Sequence, residues 1–509
     1  MICPMMRQIV ITTFLGLGCS MAAASVITVE GGELKGQSLS YVDRFMGVPY
    51  AAPPTGPLRW RAPQPVVPWQ GLRPARQPAS ACLQIGNFFA SNDPETFDQP
   101  YGSEDCLYLN VWAPRGPTAE RPVLVFFHGG SGIAGSSAHP IYDGARLARD
   151  LDAVVITANY RLGVWGSLQS DALHTGNPAE DSGSFFLLDM IRVLDWTSAH
   201  CPDLGCDGSQ ITISGQSAGA VAVLGLLRSP LAKGKFARAI SFSGLPFSAT
   251  DAEARKRTET LLKGLTDQED ARPALNEMAP EALRDALYRQ SPEALLAASG
   301  RGLSPLYVAD GTVLMAAPDD ATVHPGVVSK VPLMIGKTLD EMTTLIPLDP
   351  RTRSFGAIWP LVNGAPRDET LRQRIGWFSS IKRGMVVSLA DWSIDRRIRK
   401  AEARYAEQLP AVFAYRFVWA DYPDPWRSEL GVFHGLDLPF IFGNFIDDQK
   451  AYMRFAWTEE NRAEREHLHQ EIAVRLRAFV HAGDPNPPEA TGTGWRSWNH
   501  SDDMHVWGR

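Results

Sequence analysis

The chain has 509 residues, 44% of them hydrophobic, and 49 Lys and Arg stand against 56 Asp and Glu for a net charge of -7. A chain of this length buries a sizeable core, and its charges are scattered rather than blocked, which leaves no electrostatic footprint for nucleic acid. Beyond the N-terminus no run approaches the roughly 18 apolar residues that a membrane span needs, so no membrane span is expected.

Residues 1–24 carry one charge, Arg7, then the apolar run 9–17, then Ala22-Ala23-Ala24 before Ser25. Basic, apolar and small-residue regions in that order read as a signal peptide and predict a secreted or periplasmic protein. Cys19 is not read as a lipid-attachment site, because Gly16 stands where such a site wants a branched apolar residue. No Ser/Gly-rich linker divides the remainder, so residues 25–509 are expected to form a single domain with excursions. Cys82, Cys106, Cys201 and Cys206 remain, an even number in an exported chain, where disulfides persist. Of the three possible pairings, proximity favours Cys82–Cys106 and Cys201–Cys206. No Cys-x-x-Cys or Cys/His cluster suggests a metal.

Residues 26–66 read as short strands ending in Val48-Pro49-Tyr50-Ala51-Ala52-Pro53-Pro54, whose prolines forbid helix. Apolar runs at 107–112, 123–127 and 153–157 read as buried strands. The last two flank a helix-like stretch at 142–151, a βαβ pattern. A helix over 185–199 follows, then a strand over 210–214, a sharp turn at 215–219 and a helix through 221–227. Stretches 250–300 and 366–410 have helical spacing, while 332–336 and 411–417 read as strands. This alternation predicts an α/β fold with a large mixed, mostly parallel sheet and helices on both faces. The two helical stretches are expected as lid insertions walling a cleft. His467 and His469, two apart on a helix, are expected at the surface.

Gly215-Gln216-Ser217-Ala218-Gly219 fits G-x-S-x-G directly after a predicted strand and before a predicted helix, the context of a nucleophile turn in an α/β-hydrolase fold. Upstream, His128-Gly129-Gly130-Ser131 follows the 123–127 strand, as an HGGG-type oxyanion loop does, and Gly130, Ser131 and Ala218 are the candidate backbone donors. The stretch 130–135 also spells G-x-G-x-x-G. A dinucleotide site needs an acid after the second strand, but that strand runs into Ala158-Asn159-Tyr160-Arg161, so no nicotinamide or flavin, and no other cofactor, is expected.

Further segments carry a resemblance. Phe45-Met46-Gly47-Val48-Pro49-Tyr50-Ala51, Leu58-Arg59-Trp60, Glu104-Asp105-Cys106-Leu107-Tyr108-Leu109-Asn110-Val111, Asn159-Tyr160-Arg161-Leu162-Gly163 and Gly483-Asp484-Pro485-Asn486-Pro487 resemble the landmarks of the type-B carboxylesterase (cholinesterase-like) family. The likeness covers nearly the whole chain after residue 24. It implies a carboxylic-ester hydrolase with a Ser-His-Glu triad. Asp340-Glu341 after the 332–336 strand resembles the family's acidic segment, which makes Glu341 the implied acid and Asp340 the reserve, although Met342 replaces the family's Gly. His434-Gly435-Leu436-Asp437-Leu438 resembles its histidine segment and makes His434 the implied base. The chain order Ser217, Glu341, His434 agrees with the α/β-hydrolase order.

Departures from the family bear on the substrate, a small-molecule ester. Residues 83–105 hold no Trp to face a quaternary ammonium, offering Phe88, Phe89, Phe97 and Tyr101 instead. Gln216 replaces the Glu common before the nucleophile. Neutral or anionic acyl groups are therefore expected, and Gly132-Ile133-Ala134 lacks the aromatic that often narrows the mouth. The competing class is a non-catalytic, cholinesterase-like adhesion or binding protein. Such relatives usually lose a triad member, and here all three are present.

Overall fold

The computed structural model describes residues 25–116, 120–269, 275–300, 304–305, 307–315, 326–346, 377–448, 450–488, 494–499 and 503–509. The expected signal peptide, 1–24, lies outside the described residues, as does the start of the second helical stretch at 366–376. Among the described residues no helix is long and apolar enough to cross a membrane.

A ten-stranded sheet organises the chain. Its strands in chain order are β1 (Gln37–Ser38), β2 (Val42–Pro49), β3 (Tyr108–Pro114), β4 (Arg121–Phe127), β5 (Val154–Ala158), β6 (Cys206–Gln216), β7 (Arg238–Phe242), β8 (Leu333–Thr338), β9 (Val412–Phe417) and β10 (His505–Trp507). They lie side by side as β10-β9-β8-β7-β6-β4-β5-β3-β2-β1. The pairings from β10 through β5 are parallel, and those joining β3, β2 and β1 are antiparallel. The expected mixed, mostly parallel sheet is the one found.

Both faces are covered, which is why the central strands are continuous apolar runs rather than alternating ones. All seven residues of β4 are buried. Val123, Val125 and Phe127 pack on one side, with helices α2 (Phe185–Leu204) and α3 (Ala218–Leu226). Leu124 and Phe126 pack on the other, with α1 (Ala145–Leu151) and α5 (Arg462–Ala482). Between these last two in sequence comes α4 (Trp377–Ala406).

The site is placed by a reversal of winding. After β4 and β5 the chain crosses back to lay β6 on the opposite side of β4. The C-terminal ends of β4 and β6 thus point their loops apart, opening the crevice where α/β sheets bind ligands. Register puts Gly215 beside Phe127 and beside Ser241, so the loops after β4, β6 and β7 leave the sheet at one level.

The disulfides are Cys82–Cys106 and Cys201–Cys206, the pairing that proximity favours. One expectation fails. His467 is exposed, but His469 is fully buried, its Nδ1–H donating to Phe440 O (2.7 Å) and its Nε2 lying 2.9 Å from Asp150 Oδ2. Positions two apart on a helix lie about 200° apart, so one of the pair turns into the core.

Candidate active site

Strand β6 ends at Gln216, and Ser217 sits at φ 54°, ψ -121°, a backbone region that side chains seldom occupy. Its N–H donates to Phe242 O and its carbonyl accepts from Val221 N–H, each at 2.9 Å. The flanking glycines are steric necessities. A Cβ on Gly215 would come within 2.5 Å of the Gly219 carbonyl, and one on Gly219 within 2.1 Å of Phe127 O. Ala218 opens α3, so its N–H has no acceptor within the helix.

The 128–131 segment leaves β4 against this turn. A Cβ on Gly129 would lie 2.5 Å from Gln216 Oε1 and 3.0 Å from Ser217 Cβ, so glycine lets the loop touch the nucleophile turn. Gly130 and Ser131 both have positive φ, 104° and 56°. Ser131 and Ala218 line the cleft directly, with Gly130 one residue behind. The buried His128 ring stacks on Tyr160 at 4.6 Å, its Nδ1–H donating to Gly129 O (2.8 Å), while the Tyr160 hydroxyl donates to His128 O (2.8 Å). Burial pulls His128 down to about 4, which makes it a neutral prop for the loop.

The acid and the histidine arrive from adjacent strands. Beyond β8, Asp340 pairs with Phe433 in an isolated parallel bridge. Asp340 N–H donates to Val432 O (2.9 Å), and Asp340 Oδ2 accepts from Val432 N–H (2.7 Å). The next residue, Glu341, turns inward. Its Oε1 accepts from Thr338 N–H (2.9 Å) and its Oε2 is hydrogen-bonded to His434 Nδ1. The structure thus brings Glu341 to His434 and commits the reserve acid, Asp340, to holding the histidine segment. Met342 opens a short helix, Met342–Leu345, with its N–H donating to Asp391 Oδ1 (2.9 Å). A helical turn accepts any side chain, so the missing glycine does not disturb the loop.

Charge follows from this geometry. Burial pushes the Glu341 carboxyl up, but His434, by charge and hydrogen bond, with lesser help from the Ser243 hydroxyl and Lys337, holds it below the usual range. Burial pulls His434 down, yet Glu341, by charge and hydrogen bond, and then Asp437 outweigh it and raise the imidazole. Asp437 is buried with Glu341 nearby, and both push it up to about 7. Gln216 Nε2 donates to His434 Nε2 at 3.1 Å. That bond needs a lone pair on Nε2, so the proton resides on Nδ1, facing Glu341.

Ser217, Glu341 and His434 line one cavity of about 320 Å³, walled by apolar side chains including Leu245, Phe247, Tyr307 and Met342. Helix α4 contributes Ile394, Arg397 and Ile398, as expected of a lid insertion, whereas the 251–298 helices give no described lining residue. Behind His434 and Gln216 the space is narrow. Phe88 stacks on Tyr452 at 4.3 Å there, with Phe89 adjoining. Tyr452, Ser243, Thr338 and Lys337 have no motif in the sequence that marks them; the last three are signalled only by their places at strand ends, and Tyr452, in the loop before α5, by nothing local.

The sequence profile of the carboxylesterase family matches residues 23–363, two-thirds of the chain. The chain belongs to the carboxylesterase family. This carboxylesterase is 32% identical to a para-nitrobenzyl esterase of Bacillus subtilis, covering 91% of this chain and 90% of that one. It is 28% identical to a cholinesterase of Mus musculus (94% and 82%) and 32% identical to a fumonisin B1 esterase of Sphingopyxis macrogoltabida (79% and 72%). Among solved structures it resembles a PNB esterase with a TM-score of 0.71 at 27% identity (93% and 94%). A Geobacillus stearothermophilus carboxylesterase gives 0.70 at 29% (93% and 94%). The fold is therefore that of the α/β-hydrolases and the activity is carboxylic-ester hydrolysis.

Proposed function

We propose that this carboxylesterase is an exported serine hydrolase that cleaves small esters through an acyl-serine intermediate. Ser217 is the nucleophile, His434 the general base and Glu341 its orienting acid, while the N–H groups of Gly130, Ser131 and Ala218 bind the oxyanion. One observation carries the reading: the His434 imidazole is bonded to buried Glu341 through Nδ1 at the edge of a cavity that Ser217 also lines.

The steps follow from the tautomer. With its proton on Nδ1, His434 presents the Nε2 lone pair to the Ser217 hydroxyl and takes its proton as Oγ attacks the ester carbonyl. Negative charge moves to the carbonyl oxygen, where preset backbone donors are worth about 3 kcal/mol each. The imidazolium, stabilised by Glu341, then protonates the departing alcohol. Water enters, gives a proton to Nε2 and attacks the acyl-enzyme; the imidazolium then returns that proton to Ser217 Oγ as the acid departs. Gln216, whose amide holds Nε2, must yield it to Ser217. The two disulfides support export, in keeping with the 1–24 leader reading. Residues 25–509 act as one unit in this proposal.

A fluorophosphonate probe should label Ser217 and block hydrolysis of short para-nitrophenyl esters, and Ser217→Ala should abolish both. Equal labelling and turnover in the variant would refute the assignment.

A further inference from the structure

Outside Glu341 and His434, Arg397 is the single charged side chain among the described residues that line the catalytic cavity. It is exposed on the cleft side of α4, beside Ile394 and Ile398, and makes no hydrogen bond or ion pair with a described residue. The acids of its own helix are engaged elsewhere. Asp391 accepts from Met342 N–H (2.9 Å), Asp395 meets Arg399 at 2.7 Å and Lys337 at 3.8 Å, and buried Glu402 pairs with Arg416 at 2.7 Å. Helix α4 carries seven Lys and Arg against three Asp and Glu in a chain of net charge -7. Arg399 is paired with Asp395 and Arg404 with Glu407, so of these cations it is Arg397 that faces the cleft, on a helix of net positive charge in an acidic protein. The negative groups that could oppose it are withdrawn: Glu341 is buried against His434, and position 216 is a neutral Gln.

We propose that Arg397 selects esters that carry a free carboxylate, the monoesters of dicarboxylic acids being the simplest, with the remote carboxylate at its guanidinium while the ester carbonyl meets Ser217. This rests on the hydrolase reading above and specifies its substrate class. Guanidinium suits the task because its planar N–H fork pairs both oxygens of a carboxylate at once. The apolar walls between accept the methylene chain. Arg397 touches substrate without touching the reacting atoms, so its effect falls on kcat/KM for the anion alone.

The test compares mono-para-nitrophenyl adipate with its methyl ester, which has the same length and leaving group and no charge. The native enzyme should prefer the anion by about tenfold in kcat/KM, the lower range for a charge-assisted bond at an exposed cation. That preference should shrink between about 0.05 M and about 0.5 M salt. Arg397→Gln should erase the preference while leaving turnover of the methyl ester within about twofold, and Arg397→Lys should keep part of it. Preference for the neutral twin by the native enzyme, or an equal loss on both substrates in Arg397→Gln, would overturn the assignment and leave the triad standing. Failure of the native enzyme to hydrolyse either ester would overturn the hydrolase reading and this inference with it.

Discussion

Replacing Glu341 with Gln tests the orientation of His434 with almost no change of shape. The native carboxylate accepts on both oxygens, from Thr338 N–H at 2.9 Å and from His434 Nδ1. A Gln amide can keep one of these. If its oxygen stays with Thr338, its NH2 faces His434 and forces the imidazole proton onto Nε2, the atom that must accept from Ser217. If it flips, its NH2 meets the Thr338 N–H and two donors collide in a buried site. The first arrangement costs less, so the wrong tautomer dominates. The amide replacement in a serine protease triad costs about 10⁴ in kcat, roughly 5.5 kcal/mol at about 1.36 per decade. The same order is expected here for para-nitrophenyl butyrate, with KM little changed and the near-UV circular dichroism retained. The residual activity carries a second signature. His434 must be neutral to act, so native activity is lost as pH falls through its raised pKa. Glu341 is the main cause of that rise, and its removal leaves burial pulling down, so the acid limb of the variant should move to lower pH. A variant kcat within tenfold of native, or an acid limb shifted upward, would refute the reasoning.

Gln216→Glu should move the acid limb the other way, because a carboxylate beside Nε2 stabilises the imidazolium; a kcat pH profile with an unshifted or lowered limb would count against the contact at 3.1 Å. Gly219→Ala should destabilise by roughly 1–3 kcal/mol or more through overpacking, since its Cβ would sit 2.1 Å from Phe127 O; native-like yield and melting temperature would show that α3 can lift off β4 freely. Removing the Cys82–Cys106 bridge by a double Ala substitution should lower unfolding free energy by about 3 to 4 kcal/mol, from the loop entropy of its 24-residue separation. Urea midpoints measure this, and an unchanged midpoint would contradict it.

The strands that could be read are those buried on both faces. Segments such as 123–127 and 153–157 are unbroken apolar runs because helices cover them above and below, and the observed β4 and β5 lie within two residues of these bounds. Strand β7 is equally buried but opens with Arg238, whose guanidinium reaches Gln210 (2.8 Å) and His481 O (2.9 Å). A charged residue satisfied from distant elements hides a strand from any pattern of apolarity. Strand β10 is three residues long and exists only through its pairing with β9, beyond the reach of local periodicity. His469 lies in the core rather than at the expected surface for a related reason: spacing tells which residues share a helix face, not which face meets the core.

The nucleophile turn and the oxyanion glycines were legible because their constraint is local. Gly215, Gly219 and Gly129 each meet backbone or side-chain atoms that exclude a Cβ, and sequence records such exclusions directly. The acid and base were legible only by resemblance, since Glu341 and His434 are 93 residues apart and meet through one parallel bridge beyond their strand ends. What neither spacing nor resemblance gave is the division of labour among the carboxyls around that bridge. Asp340 is spent on Val432, Glu341 is held ionised by His434, and Asp437 is driven to about 7 by burial and by Glu341 itself. Ionising Glu341 thus opposes ionisation of its neighbour, so at neutral pH the imidazole faces one full negative charge and part of a second rather than two full ones. Two full charges would raise His434 further and leave less of it neutral to accept the serine proton. The three acids around that bridge therefore serve as a clamp, a partner and a partly ionised neighbour, a distinction that exists only in the folded electrostatics.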